Sequence, residues 1–575
     1  MKTANPFVPA FITCMREGYN FKIFRADVIA GLTVAIVALP LAMAMAVASG
    51  ASPDKGLVTA VIAGFFISFL GGSRVQIGGP TGAFVVVIFD IIQRFGFNGL
   101  ILASIMAGLI LVVAGYAKLG KLIKYIPYPV ITGFTTGIAV IIASSQVKDF
   151  LGLNVESIPA DFINKWYVYL SNLDKVTYAA VGLGALGLAT IILCKKVSPK
   201  IPSYLVSILL ISGLAYGFSL DVDTIGSRFP SLPTGLPTPV WPTFEFEEIR
   251  QLVPSAFTIA FLAGIEALLS AVVADGLIGH KHSLNQELVG QGVANIASGI
   301  FGGIPATGAI ARTATNIKAG GRTPIAGIFH SIFLLVFLYT AMDILAYIPM
   351  ASLAAVLFMV SWGMSDIKHF MQIAKISPSD RTILFLTFAL TVMVDLTVAI
   401  GVGVTFASLL FMRHMARSVE VREQRKLAEY ENKDGDEVTS VEKDVEIPAE
   451  ISVLQINGPL FYGFASEFCD KLKAVEKMPR ILILRMRFMP YLDASGENSI
   501  EDIIKVCKEH KTFVIFSAVR PQPRTILEKA GIHKNLDGAI AVDFEHALEM
   551  AKQLINDPAF INKHVDPTVH MQQTN

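Results

Sequence analysis

From about Asp27 to about Met415 the chain is a near-continuous series of apolar runs, and this feature constrains its fold more than any other. A helix needs ~20 apolar residues to cross the hydrocarbon of a bilayer. In that solvent every backbone N–H and C=O has to find its partner within the protein, which leaves helices and closed barrels as spanning structures. Spans are expected near 28–48, 55–71, 80–93, 97–115, 127–146, 176–195, 203–219, 251–274, 286–301, 305–317, 323–346, 350–362, 380–396 and 398–416. The third and tenth are too short to cross unaided. Of 575 residues, 53% are hydrophobic and only 16% are charged, with a mean hydropathy of +0.58. Soluble chains run nearer a quarter charged.

No cleavable signal peptide is expected, because Arg16, Glu17 and Lys22 precede an apolar run that outlasts a signal sequence. An even number of spans puts both termini on one side, and Lys and Arg mark which. One set of connections carries Lys118, Lys121 and Lys124, then Lys195, Lys196 and Lys200, Lys318 and Arg322, Lys368, Lys375 and Arg381, and finally Arg413 and Arg417. The alternate set is poorer per residue, so both termini are expected in the cytoplasm. The net charge of +1 gives no general attraction for nucleic acid. Cys14, Cys194, Cys469 and Cys507 form no CxxC pair, so neither a disulfide framework nor a metal site is expected.

Composition divides the chain into a cytoplasmic N-terminal segment (1–26), a transmembrane domain (27–416), a charged linker (417–450), a small α/β domain (451–555) and a tail (556–575). The linker reading rests on runs such as Arg422-Glu423-Gln424-Arg425-Lys426. In the last domain, Ile451–Ile456, Ile481–Met486 and Phe513–Phe516 read as strands, with helices near Phe464–Val475 and Ser495–Glu509 between them.

The apolar region repeats itself faintly. Gly78-Gly79-Pro80-Thr81-Gly82-Ala83 opens the third span, and Gly302-Gly303-Ile304-Pro305-Ala306-Thr307-Gly308-Ala309 opens the tenth. An offset of seven spans, being odd, makes the two halves inverted with respect to each other. Short Gly/Pro-interrupted segments at matching places in two halves point to a transporter's binding site. Proline suits a first helical turn, glycine admits close approach to the backbone, and the free N–H groups with the positive dipole end attract an anion. Two ordinary kinks in packed helices would leave the same pattern.

Glu266 lies inside the eighth span, where an acidic side chain costs on the order of +3 kcal/mol by insertion scales. Ser270 follows at i+4 on the same helix face. The carboxylate is read as a coupling group facing a polar cavity, against a structural group bonded in the core. Arg312, two turns beyond Pro305, is read as a fixed positive charge near an anion and a candidate partner of Glu266, or else as a helix-end residue snorkelling to the interface. Asp395 is read mainly as a helix-end charge.

These residues carry a family likeness. Ala30–Ala44, Gly78–Ala83, Gly264-Ile265-Glu266-Ala267-Leu268-Leu269, Asn285–Gly292 and Asn316–Thr323 together resemble the SulP family of anion permeases, over roughly 20–555. The resemblance is nearest to the bacterial C4-dicarboxylate permeases of that family. It implies a helical polytopic membrane protein of 14 segments in a seven-plus-seven inverted repeat. Spans 1–4 and 8–11 would form a core, and 5–7 and 12–14 a gate. Substrate would lie between the third and tenth half-helices, against Thr81, Gly82, Ala83 and Phe84 on one side and Gly308, Ala309, Ala311 and Arg312 on the other. Glu266 matches the family's acidic coupling position. Glu there, with Arg312 present, implies a coupling proton rather than sodium, which goes with Asp and no arginine. Lys55-Gly56-Leu57-Val58 departs from the Tyr-Gly-Leu-Tyr of many members, at residues read as packing.

The C-terminal domain resembles a STAS domain, which implies a role in homodimer formation, trafficking or binding a regulatory partner. Asp493-Ala494-Ser495-Gly496 matches the loop-to-helix motif in which the serine can be phosphorylated. Ser495 serves equally well as a plain N-cap. The soluble part has no Walker loop, no cluster of metal ligands and no nucleophile beside a base, so no enzyme and no cofactor are expected. The leading expectation is proton-coupled uptake of a small anion, a C4-dicarboxylate by resemblance, by alternating access. Sulfate or bicarbonate transport, and an uncoupled anion channel, are the alternatives. A nucleobase permease of the same membrane fold is less consistent with the STAS-like domain and Arg312.

Overall fold

The computed structural model describes residues 7–121, 126–155, 159, 161–198, 202–230, 235–242, 246–394, 396–417, 420–423, 429–431, 439–441, 447–461, 478–532 and 540–557. It divides into two compact units, Met1–Ala407 and Ser408–Asn575. Lys124, Lys200, Asp395, Cys469 and the helix expected near Phe464–Val475 lie outside the described residues, as does the tail from 558.

In the first unit α1 (Ala10–Glu17) precedes α2 (Phe21–Ala48) and α3 (Pro53–Leu70). The short strand β1 (Gly78–Gly79) and a 3-10 turn over Gly82–Phe84 lead into α4 (Val85–Tyr116). Then come α5 (Tyr128–Leu151), α6 (Phe162–Ser171), α7 (Tyr178–Val197), α8 (Ser203–Gly217), the single turn α9 (Ile225–Arg228) and α10 (Phe246–Ile278). The second half has α11 (Leu284–Ile300), β2 (Thr307–Gly308), α12 (Ile310–Lys318), α13 (Pro324–Thr340), the single turn α14 (Met342–Leu345), α15 (Met350–Met364), α16 (Ile367–Ile376), α17 (Pro378–Met393) and α18 (Leu396–Arg417).

Among the described residues 8 helices are long and apolar enough to cross a membrane. Gly96, at φ 68° and ψ −175°, breaks α4 into two helices. A glycine is suited to this left-handed φ, which other residues adopt only with strain. The third and fourth expected spans are therefore the two parts of α4, and a helical segment stands at each of the 14 expected places.

Packing follows the inverted repeat. α4 lies on α10 and α11, while α13 lies on α2 and α3; α5 lies on α17 and α15, while α15 lies on α7. Exchanging first-half for second-half elements maps one set of contacts onto the other. The result is a core bundle of α2–α4 and α10–α13 beside a gate bundle of α5, α7, α8, α15 and α17.

The loops that dip into the bundle are held by buried polar side chains. Glu287 Oε2 accepts from the Gly72 and Ser73 amides at 2.8 and 2.9 Å, and its Oε1 accepts from Gln291 Nε2 at 2.8 Å. In the other half Asp27 accepts from the Arg322 amide at 2.8 Å and from the Thr323 hydroxyl. Asn295 makes a two-way clamp on Ala306, donating to its carbonyl at 2.8 Å and accepting from its amide at 2.9 Å. The Ile304 amide donates to Thr59 Oγ1 at 2.7 Å.

The second unit is a sheet of order β3 (Glu420–Glu423), β6 (Ile451–Asn457), β7 (Ile481–Arg485), β8 (Phe513–Ser517) and β9 (Ile540–Ala541). β3 is antiparallel to β6 and the remaining pairs are parallel. β7 is buried at every residue, as expected of a central parallel strand. Helices Ala494–Glu509, Pro521–Lys529 and Phe544–Asn556 follow β7, β8 and β9. The stretch 417–450, read as a linker from its charge, carries β3 and the antiparallel pair β4 (Glu429–Glu431) and β5 (Thr439–Val441). An edge strand is where charged residues are used to discourage further pairing, so strand character there escapes a hydrophobic-pattern reading.

Replacing Asn295 by Leu strands the amide and carbonyl of Ala306 in a buried loop, at about 1–3 kcal/mol for each unsatisfied group. The variant is expected to lose thermal stability in detergent by several degrees. An unchanged melting curve would show that the clamp is not needed.

Candidate anion-binding site

The two dipping segments meet each other directly. Gly78 pairs with Gly308 and Gly79 with Thr307 in an antiparallel two-residue ladder, extended by the Ala309 amide donating to the Ile77 carbonyl at 2.8 Å. The ladder joins the two half-helix starts. It also corrects one expectation: Pro80 and Pro305 do not sit in a first helical turn. Both lie in the extended approach, with the 3-10 turn beginning at Gly82 and α12 at Ile310. Proline lacks an N–H, so it leaves no orphan donor in this buried stretch.

Neighbouring side chains satisfy the approach strands. The Ile77 amide donates to Thr313 Oγ1 at 3.1 Å, Gln76 Nε2 to the Ala267 carbonyl at 3.2 Å, Asn316 Nδ2 to the Val75 carbonyl at 2.9 Å and Thr307 Oγ1 to the Ala263 carbonyl at 2.8 Å. A Cβ at Gly308 would collide with the Gln76 amide, and one at Gly79, whose φ is 152°, with the Arg312 guanidinium. The glycines thus let side chains of one half press on the backbone of the other.

Two charged groups bracket Pro80 and Thr81. Arg312, 4% exposed, donates from Nη2 to the Pro80 carbonyl at 3.0 Å, and its Nη1 has no hydrogen-bond partner. Glu266 Oε2 accepts from Thr81 Oγ1 at 2.7 Å. The expected direct pairing of Glu266 with Arg312 is replaced by this bridge: no ion pair joins them within 4.0 Å among the described residues. Burial also removes the snorkelling alternative for Arg312, since its guanidinium points back into the bundle and not to an interface.

Neither the Thr81 nor the Ala309 end has a side-chain cap, so the first-turn amides there are not consumed by a capping side chain. Thr81, Gly82, Ala83, Gly308 and Ala309 lie together around the ladder and are buried. A Cβ at Gly82 would meet Met364 of α15 and Ile142 of α5, which places this turn where the core meets the gate. Ala311, next to Arg312, is exposed. Phe84 departs from its expected place: its ring is wholly buried in the apolar core, as its size and hydrophobicity favour. Ser270 donates to Thr313 Oγ1 at 3.3 Å, so it supports the ladder's partner and does not touch Glu266. Gln76, Thr313, Asn316 and Asn295 were not singled out in the sequence. Their only signal there is polarity within apolar surroundings.

Ser495 lies far along the chain, in the second unit. The N-cap of its helix is Asp493, whose carboxylate accepts from the Gly496 amide at 2.8 Å, and Ser495 is an exposed first-turn residue. The cap reading of Ser495 therefore passes to Asp493.

Residues 24–387 match the sulfate permease family and 442–547 match the STAS domain. The chain is 41% identical to the putative sulfate transporter YvdB of Bacillus subtilis, over 90% of this chain and 96% of that protein. It is 33% identical to the bicarbonate transporter BicA of a Picosynechococcus strain, over 90% of this chain and 92% of that one. The transmembrane domain of a cyanobacterial BicA superposes with a TM-score of 0.61 at 32% identity, covering 67% of this chain and 99% of that structure. The overall structure of SLC26A9 superposes with a TM-score of 0.83 at 17% identity, covering 96% of this chain and 94% of that one, and so shares the fold. YvdB and BicA are named for sulfate and bicarbonate, so nearness to the C4-dicarboxylate permeases gives way to them.

Thr81→Val keeps the side chain's shape and removes the hydrogen bond to Glu266. Anion uptake is expected to fall about tenfold, the effect of losing one charge-assisted hydrogen bond, with Thr81→Ser restoring it. Equal uptake by the valine variant and the wild type would separate the bridge from transport. With the family model covering most of its length, and a membrane fold built around the ladder, the chain belongs to the sulfate permease family, as a multi-pass anion transporter with a C-terminal STAS domain.

Proposed function

We propose that the chain moves a small oxyanion, sulfate or bicarbonate, by secondary active alternating access. The observation that carries this reading is the β1–β2 ladder, which holds two uncapped helix starts together beside the buried guanidinium of Arg312. Helix N-termini and a fixed positive charge favour an anion. Binding falls to Thr81, Gly82, Ala83, Gly308, Ala309 and Arg312, with Ala311 at the open edge and Phe84 as packing behind it.

Glu266 is the proposed coupling group. It contacts Thr81, so its protonation state bears directly on the turn that holds the anion. A proton on Glu266 removes the negative charge that opposes an anion nearby, so proton and anion would bind together. The substrate preference follows the names of the two relatives at 41% and 33% identity. Cytoplasmic termini in a bacterial plasma membrane, a homodimer and a regulatory partner for the STAS domain belong to the same reading. They are supported by the loop charges and the family resemblance.

The test is uptake of labelled sulfate and of labelled bicarbonate into proteoliposomes, each competed by the other and by fumarate. Saturable accumulation against a gradient is expected, rising as outside pH falls, with fumarate a poor competitor. Fumarate uptake in preference to both would reverse the substrate assignment, and flux that only dissipates gradients would mean a channel. Glu266→Gln is expected to flatten the pH dependence of uptake. A variant that keeps the wild-type pH profile would remove Glu266 from coupling.

A further inference from the structure

A second polar feature lies one turn along α4 from the ladder. A cavity of about 630 Å³ opens between the core and gate bundles, with Val85 and Val86 among its lining residues. These two follow directly on the Thr81–Phe84 turn. Its remaining walls come from the end of α2, the first part of α4, the end of α5, and from α6 and α17, with Arg228 of α9 and Ser255 of α10. It therefore opens at the end of the bundle away from the Arg74–Glu17 ion pair that joins the α3–β1 loop to α1.

Most charges around this cavity are already engaged. Arg94 pairs with Asp90 at 2.8 Å, and Arg228 with Asp149 at 2.7 Å. Lys148 Nζ donates to the Val155 carbonyl at 2.7 Å, and Asp161 accepts from the Asn164 amide as the N-cap of α6. Lys165 is different. It is 6% exposed, lines the cavity, and its ammonium has no hydrogen bond or ion pair among the described residues. Its ammonium has the Phe89 ring 5.8 Å away, a weak cation–π contact. Burial lowers its pKa from the ordinary lysine value, with Asp161 acting the other way.

One helical turn on, at i+4 of α6, Tyr169 lines the same cavity. It is 2% exposed and its hydroxyl has no hydrogen-bond partner. A buried polar group normally finds one, so the Tyr169 hydroxyl calls for an explanation, with the unpaired Lys165 ammonium on the same face of this short helix.

We propose that Lys165 and Tyr169 form an anion-staging site, in which a small oxyanion accepts from the Lys165 ammonium and the Tyr169 hydroxyl before passing along the cavity to the Thr81 turn. The site takes the anion class proposed above and rests on that reading for its place in transport. Its charge is compact and deeply placed, so it gathers anions into a narrow path. α6 supplies the site from the gate side while Val85 and Val86 belong to the core. Relative movement of the two bundles would therefore change the distance between staging site and ladder.

The experiment compares wild type, Lys165→Gln, Lys165→Arg and Tyr169→Phe in proteoliposomes, reading the concentration dependence of labelled sulfate and bicarbonate uptake. Lys165→Gln is expected to raise KM by roughly three- to tenfold, as one charge-assisted contact would. Lys165→Arg is expected to restore most of the affinity, and Tyr169→Phe to shift KM in the same direction by less. A KM in Lys165→Gln equal to the wild-type value overturns the proposal. A second measurement does not need transport. Purified wild-type protein is treated with an amine-acetylating reagent, and the modification of Lys165 is followed by peptide mass spectrometry. Sulfate or bicarbonate, compared with chloride at equal ionic strength, is expected to slow acetylation of Lys165 and not that of exposed Lys281. Absence of protection by either anion overturns the staging site even if the wild type transports. Protection in a wild type that transports neither anion would keep the site and overturn the transport assignment.

Discussion

The whole transmembrane unit depends on satisfying backbone polar groups where no water is available. Helices do this by themselves, but the two segments that dip toward the middle of the bundle do not. Their extended backbones pair with each other through Gly78–Gly308 and Gly79–Thr307. The donors and acceptors left over are taken up by Gln76, Thr307, Thr313, Asn316 and Asn295. The repeat supplies one dipping segment from each half, and the inverted relation makes them antiparallel. The proposed binding region is therefore a consequence of how the halves join.

The same economy governs the charges. Three carboxylates in the core have defined donors. Glu287 takes two loop amides and Gln291, Asp27 takes loop groups of the other half, and Glu266 takes the Thr81 hydroxyl. Glu287 and Asp27 hold loops, whereas Glu266 holds the turn that opens a half-helix. In the proposed mechanism, that difference in partner gives Glu266 a route to the anion that the other two lack. Arg312 completes the arrangement by donating to Pro80 while leaving one nitrogen unengaged. Asp54 and His330 also carry buried atoms without partners, so an unpaired atom alone does not mark a ligand contact. Arg312 is set apart by its place beside both uncapped helix starts.

Much of this was legible in the sequence. The apolar periodicity located the membrane segments, and the Gly/Pro echo picked out the two that fail to cross. Glu266 and Arg312 stood out because a charge in such surroundings is costly. Less was legible where several patterns overlap. Charge hid β3 to β5 in the stretch read as a linker. Pro80 and Pro305 looked like helix starts because proline favours a first turn, yet both belong to the extended approach. Phe84 was carried into the site by its neighbours, while its ring stayed in the core. Lys165 and Tyr169 gave no signal, since a lysine and a tyrosine on a short amphipathic helix are unremarkable until their partners are found missing.

The sequence by itself determined the solvent in which most of the chain folds, the number and length of its segments, the inverted repeat, and the presence of a separate α/β domain. These are properties of hydrophobic runs and local glycine and proline chemistry, and they act over one or two helical turns. Tertiary structure alone decided which polar groups face each other. It put the Pro80–Thr81 segment between Arg312 and Glu266, took Ser270 away from Glu266 to Thr313, and left Lys165 without a counter-ion beside an open cavity. Those partners lie far apart along the chain, so their pairing is set by helix packing and the ladder and has no local sequence signal.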